Sequence, residues 1–273
     1  MEKLKELRDK TGAGMVDCKK ALEEAGGDLE KAVEILRKKG IAKAAKRTDR
    51  ETNEGVVKMF VNSDKSEGYI IELNSETDFV SRNEKFQGLA DEILKVAASN
   101  KIIDREALLN SDMGGKTVKE EIDVLSGVIG EKLDLKRAKR LVGKTVVSYS
   151  HAGGRLGVLL SLDKEGMEDL GYDLAMHVAA ANPKYISSEQ VLPEEITKEK
   201  EIYTEQLKKE GKPEAMIEKI LEGKMNKYYE EVCLLNQEYI KDDSKKVKDV
   251  LGDVKVLSFV IFSLTGSSVV CSL

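Results

Sequence analysis

Two histidines and three cysteines are the residues of this 273-residue chain best suited to proton transfer, metal binding or nucleophilic attack. Their spacing supports none of these. His151 and His177 form no HExxH pair, and no Ser or Cys sits in a nucleophile elbow. Cys18, Cys233 and Cys271 lack CxxC spacing, and their odd number argues against a disulfide framework or a zinc site and fits a reducing compartment. Thr11-Gly12-Ala13-Gly14-Met15 is glycine-rich, but it has no phosphate-loop lysine and follows no strand. Gly153-Gly154-Arg155-Leu156-Gly157 opens no helix and fails the dinucleotide fingerprint. Both runs read as turns. Carboxylate pairs such as Glu23-Glu24 and Glu194-Glu195 belong to solvated faces in a chain that is 35% charged. His177, beside Met176 in an Ala-rich stretch, reads as a helix residue packed near the core. His151 reads as an exposed loop residue or as a partner contact. The chain is therefore read as non-enzymatic, with no metal site and no cofactor.

What remains is recognition chemistry. Residues 72–82 run Glu-Leu-Asn-Ser-Glu-Thr-Asp-Phe-Val-Ser-Arg. They place one large aromatic, Phe79, among polar neighbours where a strand pattern stops and a helix pattern starts. Upstream, Tyr69-Ile70-Ile71-Glu72-Leu73 has strand composition. Downstream, Ser81-Arg82-Asn83-Glu84 fits a capping box that would open a helix near Arg82. A Phe after a strand ordinarily packs into its own core. Glu76, Thr77, Asp78, Ser81 and Arg82 offer it little apolar company besides Val80. Phe79 is thus either a core plug or a probe for another protein.

Composition narrows the partner. Forty-five basic and 50 acidic residues give a net charge of −5, which argues against broad phosphate-backbone binding and so against direct nucleic-acid contact. The basic stretch from Arg37 to Arg50 reads equally as a solvated helix. Only 5% of residues are aromatic and Trp is absent, so cores should be aliphatic. The longest apolar stretch, Val256 to Leu264, is too short to span a bilayer and reads as a buried strand. Met1-Glu2-Lys3-Leu4-Lys5 carries no apolar leader pattern, so a cytoplasmic location is expected.

The elements that must position Phe79 follow from periodicity. Residues 1–40 predict three short helices with Gly turns, Asp28 capping the third and Gly40 ending it. Residues 41–54 form a basic linker. Residues 55–142 predict a core subdomain: strands at Val56–Val61 and Tyr69–Leu73, a helix to about Ala98, and a second helix carrying Val118, Ile122, Leu125 and Ile129. The same grammar recurs over 143–266, with strands at 145–149 and 157–162 and a helix from about Met167 to Ala181. An inserted helical hairpin at 194–230, divided at Gly211-Lys212-Pro213, would project from this second subdomain. Strand, helix and strand are expected at 232–240, 247–251 and 254–264, and residues 267–273 as a frayed or accessory tail. The fold class is α+β: a three-helix domain, then two related subdomains, each a small antiparallel sheet covered by helices.

Two segments now carry a family resemblance. Leu7 to Leu22, reading Leu-Arg-Asp-Lys-Thr-Gly-Ala-Gly-Met-Val-Asp-Cys-Lys-Lys-Ala-Leu, and Glu72 to Arg82 are similar to the two signatures of the elongation factor Ts family, in the right order and separation. Softer similarity extends through Tyr149-Ser150-His151 and Ala175 to Ala180. Val16 stands where the family often has a second Met. The resemblance implies that residues 1–40 are a ubiquitin-associated-like domain. It also implies a guanine-nucleotide exchange factor for the translation GTPase elongation factor Tu, met in its GDP-bound and nucleotide-free states. Thr77, Asp78, Phe79 and Val80 would contact the GTPase domain, with Phe79 inserted between two of its helices so that its Mg²⁺ and phosphate ligands are disturbed. Arg8 and Met15 would touch the same domain, and His151 another domain of the partner. Two other readings stay open: a ubiquitin-associated-like adaptor without exchange activity, and a hairpin that forms a weak homodimer instead of, or besides, binding the partner.

Overall fold

The structure, a computed structural model, describes residues 2–266 and 268–272. Three helices open the chain: α1 (Glu2–Thr11), α2 (Met15–Glu24) and α3 (Leu29–Ala45). Then come β1 (Glu54–Val61), β2 (Glu67–Ser75), α4 (Asp78–Ser81), α5 (Glu84–Ser99), α6 (Arg105–Leu109), α7 (Val118–Ile129) and β3 (Leu133–Val142). The remainder is β4 (Thr145–His151), β5 (Leu156–Leu162), α8 (Glu168–Ala181), the long pair α9 (Pro193–Lys209) and α10 (Glu214–Val232), β6 (Glu238–Tyr239), β7 (Asp242–Lys246), α11 (Val247–Leu251), β8 (Val256–Ser263) and β9 (Val269–Ser272). This is the expected α+β architecture. Among the described residues, no helix is long and apolar enough to cross a membrane.

Leu7, Ala13, Cys18, Ala21 and Ala32 close a small core between the first three helices. The Asp28 carboxylate caps α3, accepting from the N–H groups of Glu30 and Lys31. Gly40, expected to end this helix, does not, and α3 runs on to Ala45. Its glycine serves packing instead. A Cβ on Gly127 of α7 would collide with the Gly40 Cα, so the two helices meet backbone to backbone. Arg37 pairs with Glu120 at 3.1 Å, and the Arg47 guanidinium donates to the Ser126 carbonyl at 3.1 Å. The first part of the expected linker is therefore helix docked on the core.

Two antiparallel sheets follow, ordered β1-β2-β3 and β4-β5-β8-β9. They stack on each other. Val57, Ile70 and Leu141 from the first sheet pack against Val146, Leu159, Val260 and Phe262 from the second. At Gly157 the approach is so close that a Cβ would lie 2.6 Å from Val57 Cγ1. Helices cover the outer faces: α5, α6 and α7 over Tyr69, Ile71 and Leu73, and α8 with α11 over Val158, Leu160 and Phe259. The result is four layers, helix, sheet, sheet, helix, and it explains why β2 is buried along nearly its whole length.

Several expectations need correction. Strand β3 was not expected, because Lys136 is an extra residue opposite the Glu72–Leu73 step of β2 and breaks its apolar alternation. The short α6 was not expected either. Val232 to Ile240 is not a strand: α10 extends to Val232, whose side chain packs with Tyr228 and Met225 at the base of the hairpin, and only Glu238–Tyr239 pairs as β6. The tail is not frayed over Val269–Ser272, which adds to β8 as an edge strand. Ser267 and Leu273 lie outside the described residues.

His177 is buried, as its setting suggested. The Ile240 N–H donates to its Nδ1 at 3.2 Å, so the ring proton sits on Nε2 and is donated to Gln237 Oε1 at 3.0 Å. Burial pulls its pKa below the ordinary 6.5, against the pull of Gln237. The unfolded chain thus takes up a proton that the folded chain refuses. The stability this contributes is complete above pH 6.5 and is lost as pH falls below it. The unfolding midpoint is expected to drop between pH 7 and pH 5.5, this group accounting for no more than about 2 °C, with His177→Gln flattening that slope in a melt series.

Candidate functional site

The site is the corner between β2 and α5. Ser75, the last residue of β2, is buried and its hydroxyl donates to the Thr77 carbonyl at 2.9 Å. The chain then makes the single turn α4. Successive residues lie about 100° apart on this turn, and Val80 and Ser81 take its inner side. Val80 takes the inward position and joins the cluster of Tyr69, Leu73 and Phe86. Phe79 is left 84% exposed, more than any other large apolar side chain among the described residues.

Polar bonds hold the corner. Ser81 does not begin a capping box. Its hydroxyl lies inside α4 and donates back to the Asp78 carbonyl at 3.0 Å. Asn83 caps α5 instead, its Oδ1 accepting from the Lys85 N–H at 2.9 Å. Gln87 donates to the Ser81 carbonyl, and Asp78 pairs with Arg82 at 3.2 Å. From the segment that leads into the neighbouring β3, Glu131 takes the Thr77 N–H at 3.0 Å and the Thr77 hydroxyl at 2.7 Å. Glu76 accepts from the Lys132 N–H at 2.6 Å and from Arg50 at 3.1 Å. Partial burial pushes the Glu76 carboxyl up, but the Lys132 N–H and the Arg50 charge outweigh it and hold it below the usual carboxylate range. Arg50, Glu131 and Lys132 were missed from sequence, since no local period links them to Glu76 and Thr77 across 26, 54 and 56 positions.

Thr77, Asp78, Phe79 and Val80 thus come together on one rigid corner, with Phe79 outward and Val80 inward. Arg8 is exposed on α1, and Met15, half exposed, opens α2 beside the more exposed Val16. His151 is exposed at the end of β4, beyond the strand limit expected from sequence. Its ring stacks near Tyr149, whose hydroxyl lies 3.2 Å from His151 Nδ1, and Tyr172 meets Tyr149 edge-on. The hairpin after His151 is tied to the first sheet. Val57 N–H donates to the Gly154 carbonyl at 2.8 Å, and Arg155 pairs with Glu54 at 2.6 Å. Glu54 and, from further off, Asp78 both tighten the hold of Arg155 on its proton. Among the described residues no group of three His, Cys, Asp or Glu side chains is placed to hold a metal ion. All three cysteines are free and buried. The arrangement offers recognition by an outward ring.

The sequence profile described as Elongation factor TS matches residues 76–266. The chain is 49% identical to elongation factor Ts of Chlorobaculum tepidum, with 96% of each chain covered. It is 45% identical to elongation factor Ts of Deinococcus deserti, covering 97% of this chain and 99% of that protein. Elongation factor Ts of Clostridium botulinum is also 45% identical, over 95% of this chain and 90% of the relative. The chain belongs to the elongation factor Ts family, a family of translation elongation factors.

Proposed function

We propose that this chain binds elongation factor Tu and promotes release of its GDP, so that GTP can rebind. The outward Phe79 ring on a braced corner carries this reading. Phe79 inserts near the Mg²⁺ and phosphate site of the partner, with Thr77, Asp78 and Val80 as its setting. Arg8, Met15 and His151 supply further contacts. No covalent step is needed. If binding this chain weakens the partner's hold on GDP by some factor, GDP weakens the partner's hold on this chain by the same factor. The ring contributes only by fitting the nucleotide-free state better than the loaded one. Mg²⁺ ties the phosphates to the GTPase, so disturbing its ligands loosens the nucleotide.

The three-helix unit acts together with the core in this proposal, since α3 and α7 meet backbone to backbone. That supports exchange over a free adaptor role. The units 1–40, 55–142 and 143–266 are proposed as its working parts, in the cytoplasm. The test is displacement of a fluorescent GDP analogue from elongation factor Tu. Added chain should accelerate release in proportion to its concentration until saturation, and an unchanged rate at saturating chain would dismiss the proposal.

A further inference from the structure

We propose that Glu131 is the positioning residue that presents Phe79; this rests on the exchange reading above. Thr77 occupies the N-cap position of α4, yet its side chain makes no capping bond there. A threonine at that position ordinarily accepts from a backbone N–H of the first turn. Here its hydroxyl proton and its own N–H both go to Glu131, one to each carboxylate oxygen, at 2.7 and 3.0 Å. An ionised carboxylate only accepts, and Thr77 offers two donors side by side, so the match is complete in number and sign.

Glu131 is itself held. The Ser126 hydroxyl donates to its carbonyl at 2.6 Å, and Gly130, at positive φ, ends α7 and turns the chain into β3. The next residue returns the clasp, the Lys132 N–H donating to Glu76 at 2.6 Å. Residues 76–77 and 131–132 therefore exchange side-chain-to-backbone bonds across the mouth of the corner. The Lys132 ammonium also donates to the Thr48 and Arg50 carbonyls, at 2.6 and 2.9 Å, and the Arg50 side chain reaches Glu76. The segment leading from α3 is thereby tied to the same clasp. Phe79 lies two residues beyond Thr77, and its own ring has almost no packing to fix it. Its direction depends on the backbone at Thr77, and hence on Glu131. Freeing Thr77 lets the ring sample directions that do not fit the partner. Bound complexes would then spend only part of their time with the ring inserted.

The experiment measures fluorescent GDP release from elongation factor Tu against concentration of the full chain. Variants are Phe79→Ala, Glu131→Ala, the isosteric Glu131→Gln, and the Phe79→Ala/Glu131→Ala pair. Glu131→Ala should lower the saturating release rate by roughly tenfold, the low end of the scale for lost charge-assisted hydrogen bonds, with half-saturation moved by less than about twofold. Glu131→Gln keeps one acceptor oxygen and should recover part of the rate. Added to Phe79→Ala, the Glu131→Ala change should do nothing more, because there is no ring left to aim. A Glu131→Ala rate equal to wild type would overturn the proposal. So would a shift confined to half-saturation, or a loss that persists at full size without the ring. If Phe79→Ala itself matches wild type, the exchange reading through that ring fails, and this proposal with it.

Discussion

Phe79→Ala is expected to leave this protein folded and to slow the proposed stimulation of GDP release, at saturation, by roughly thirtyfold, the size of a loss of about 2 kcal/mol at an interface anchor. The ring is 84% exposed and contributes little to its own core, so the unfolding midpoint should stay within about 1 °C of wild type. An aromatic suits a wedge because it carries large area on few rotatable bonds. Phe79→Leu keeps part of that area and should fall between the two. Release rates and thermal melts on the same preparations decide the matter. A slowed rate with an unchanged melt assigns the effect to the partner contact. A lowered melt would mean that the ring packs at home, against its exposure in the structure.

Arg137→Met should produce the largest loss of stability. Glu72 lies on β2 with no exposed surface, between the two sheets. Arg137 approaches it at 2.6 Å and Lys136 at 3.6 Å. The bulge at Lys136 is what lets both neighbours reach one face, which strict alternation would forbid. The Glu72 oxygens make no well-aligned hydrogen bond among the described residues, so the attraction is mainly between charges. Arg137 also donates to the Ser263 carbonyl at 3.3 Å and lies over the Phe262 ring at 5.2 Å, linking β3 to β8 of the other sheet. Removing it leaves a buried carboxylate paired with Lys136 alone, at 3.6 Å. Breaking such a pair costs about 3 kcal/mol, which should lower the unfolding midpoint by roughly 5 °C. The double change Glu72→Leu/Arg137→Met removes both charges and should regain most of that loss. Equal melts for the single and double variants would refute the account. Since Glu72 and Phe79 lie on the same short signature, the single variant also tests whether the corner tolerates movement of the strand beneath it.

The sequence alone told much about short-range structure. The first three helices, the strands on either side of the Asn62–Gly68 turn, α5, α8 and the α9–α10 hairpin all carry their own periodicity, caps and breakers, which act over a few residues. It also singled out Phe79 as an aromatic stranded among polar neighbours. The signatures at Leu7–Leu22 and Glu72–Arg82 pointed to the family. Where local signals competed, local reading failed. Gly40 has the form of a helix stop, but it serves a helix crossing. Ser81-Arg82-Asn83-Glu84 has the form of a capping box, but Ser81 is already inside the preceding turn. Leu133–Val142 lost its alternation to a bulged lysine.

Which way the Phe79 ring faces, and what holds it there, was a tertiary decision. Val80 rather than Phe79 turns inward, and the shape of the core beneath, built by Tyr69, Leu73 and Phe86, settles that choice. Glu131 reaches Thr77 across 54 positions of chain. The stacking of the two sheets brings Arg137 to Ser263 across 126. Such contacts obey no sequence period, because they are set by how layers pack rather than by how a single segment coils. Residue types and spacing therefore singled out the ring, whereas burial and long-range hydrogen bonding turned it outward and braced it.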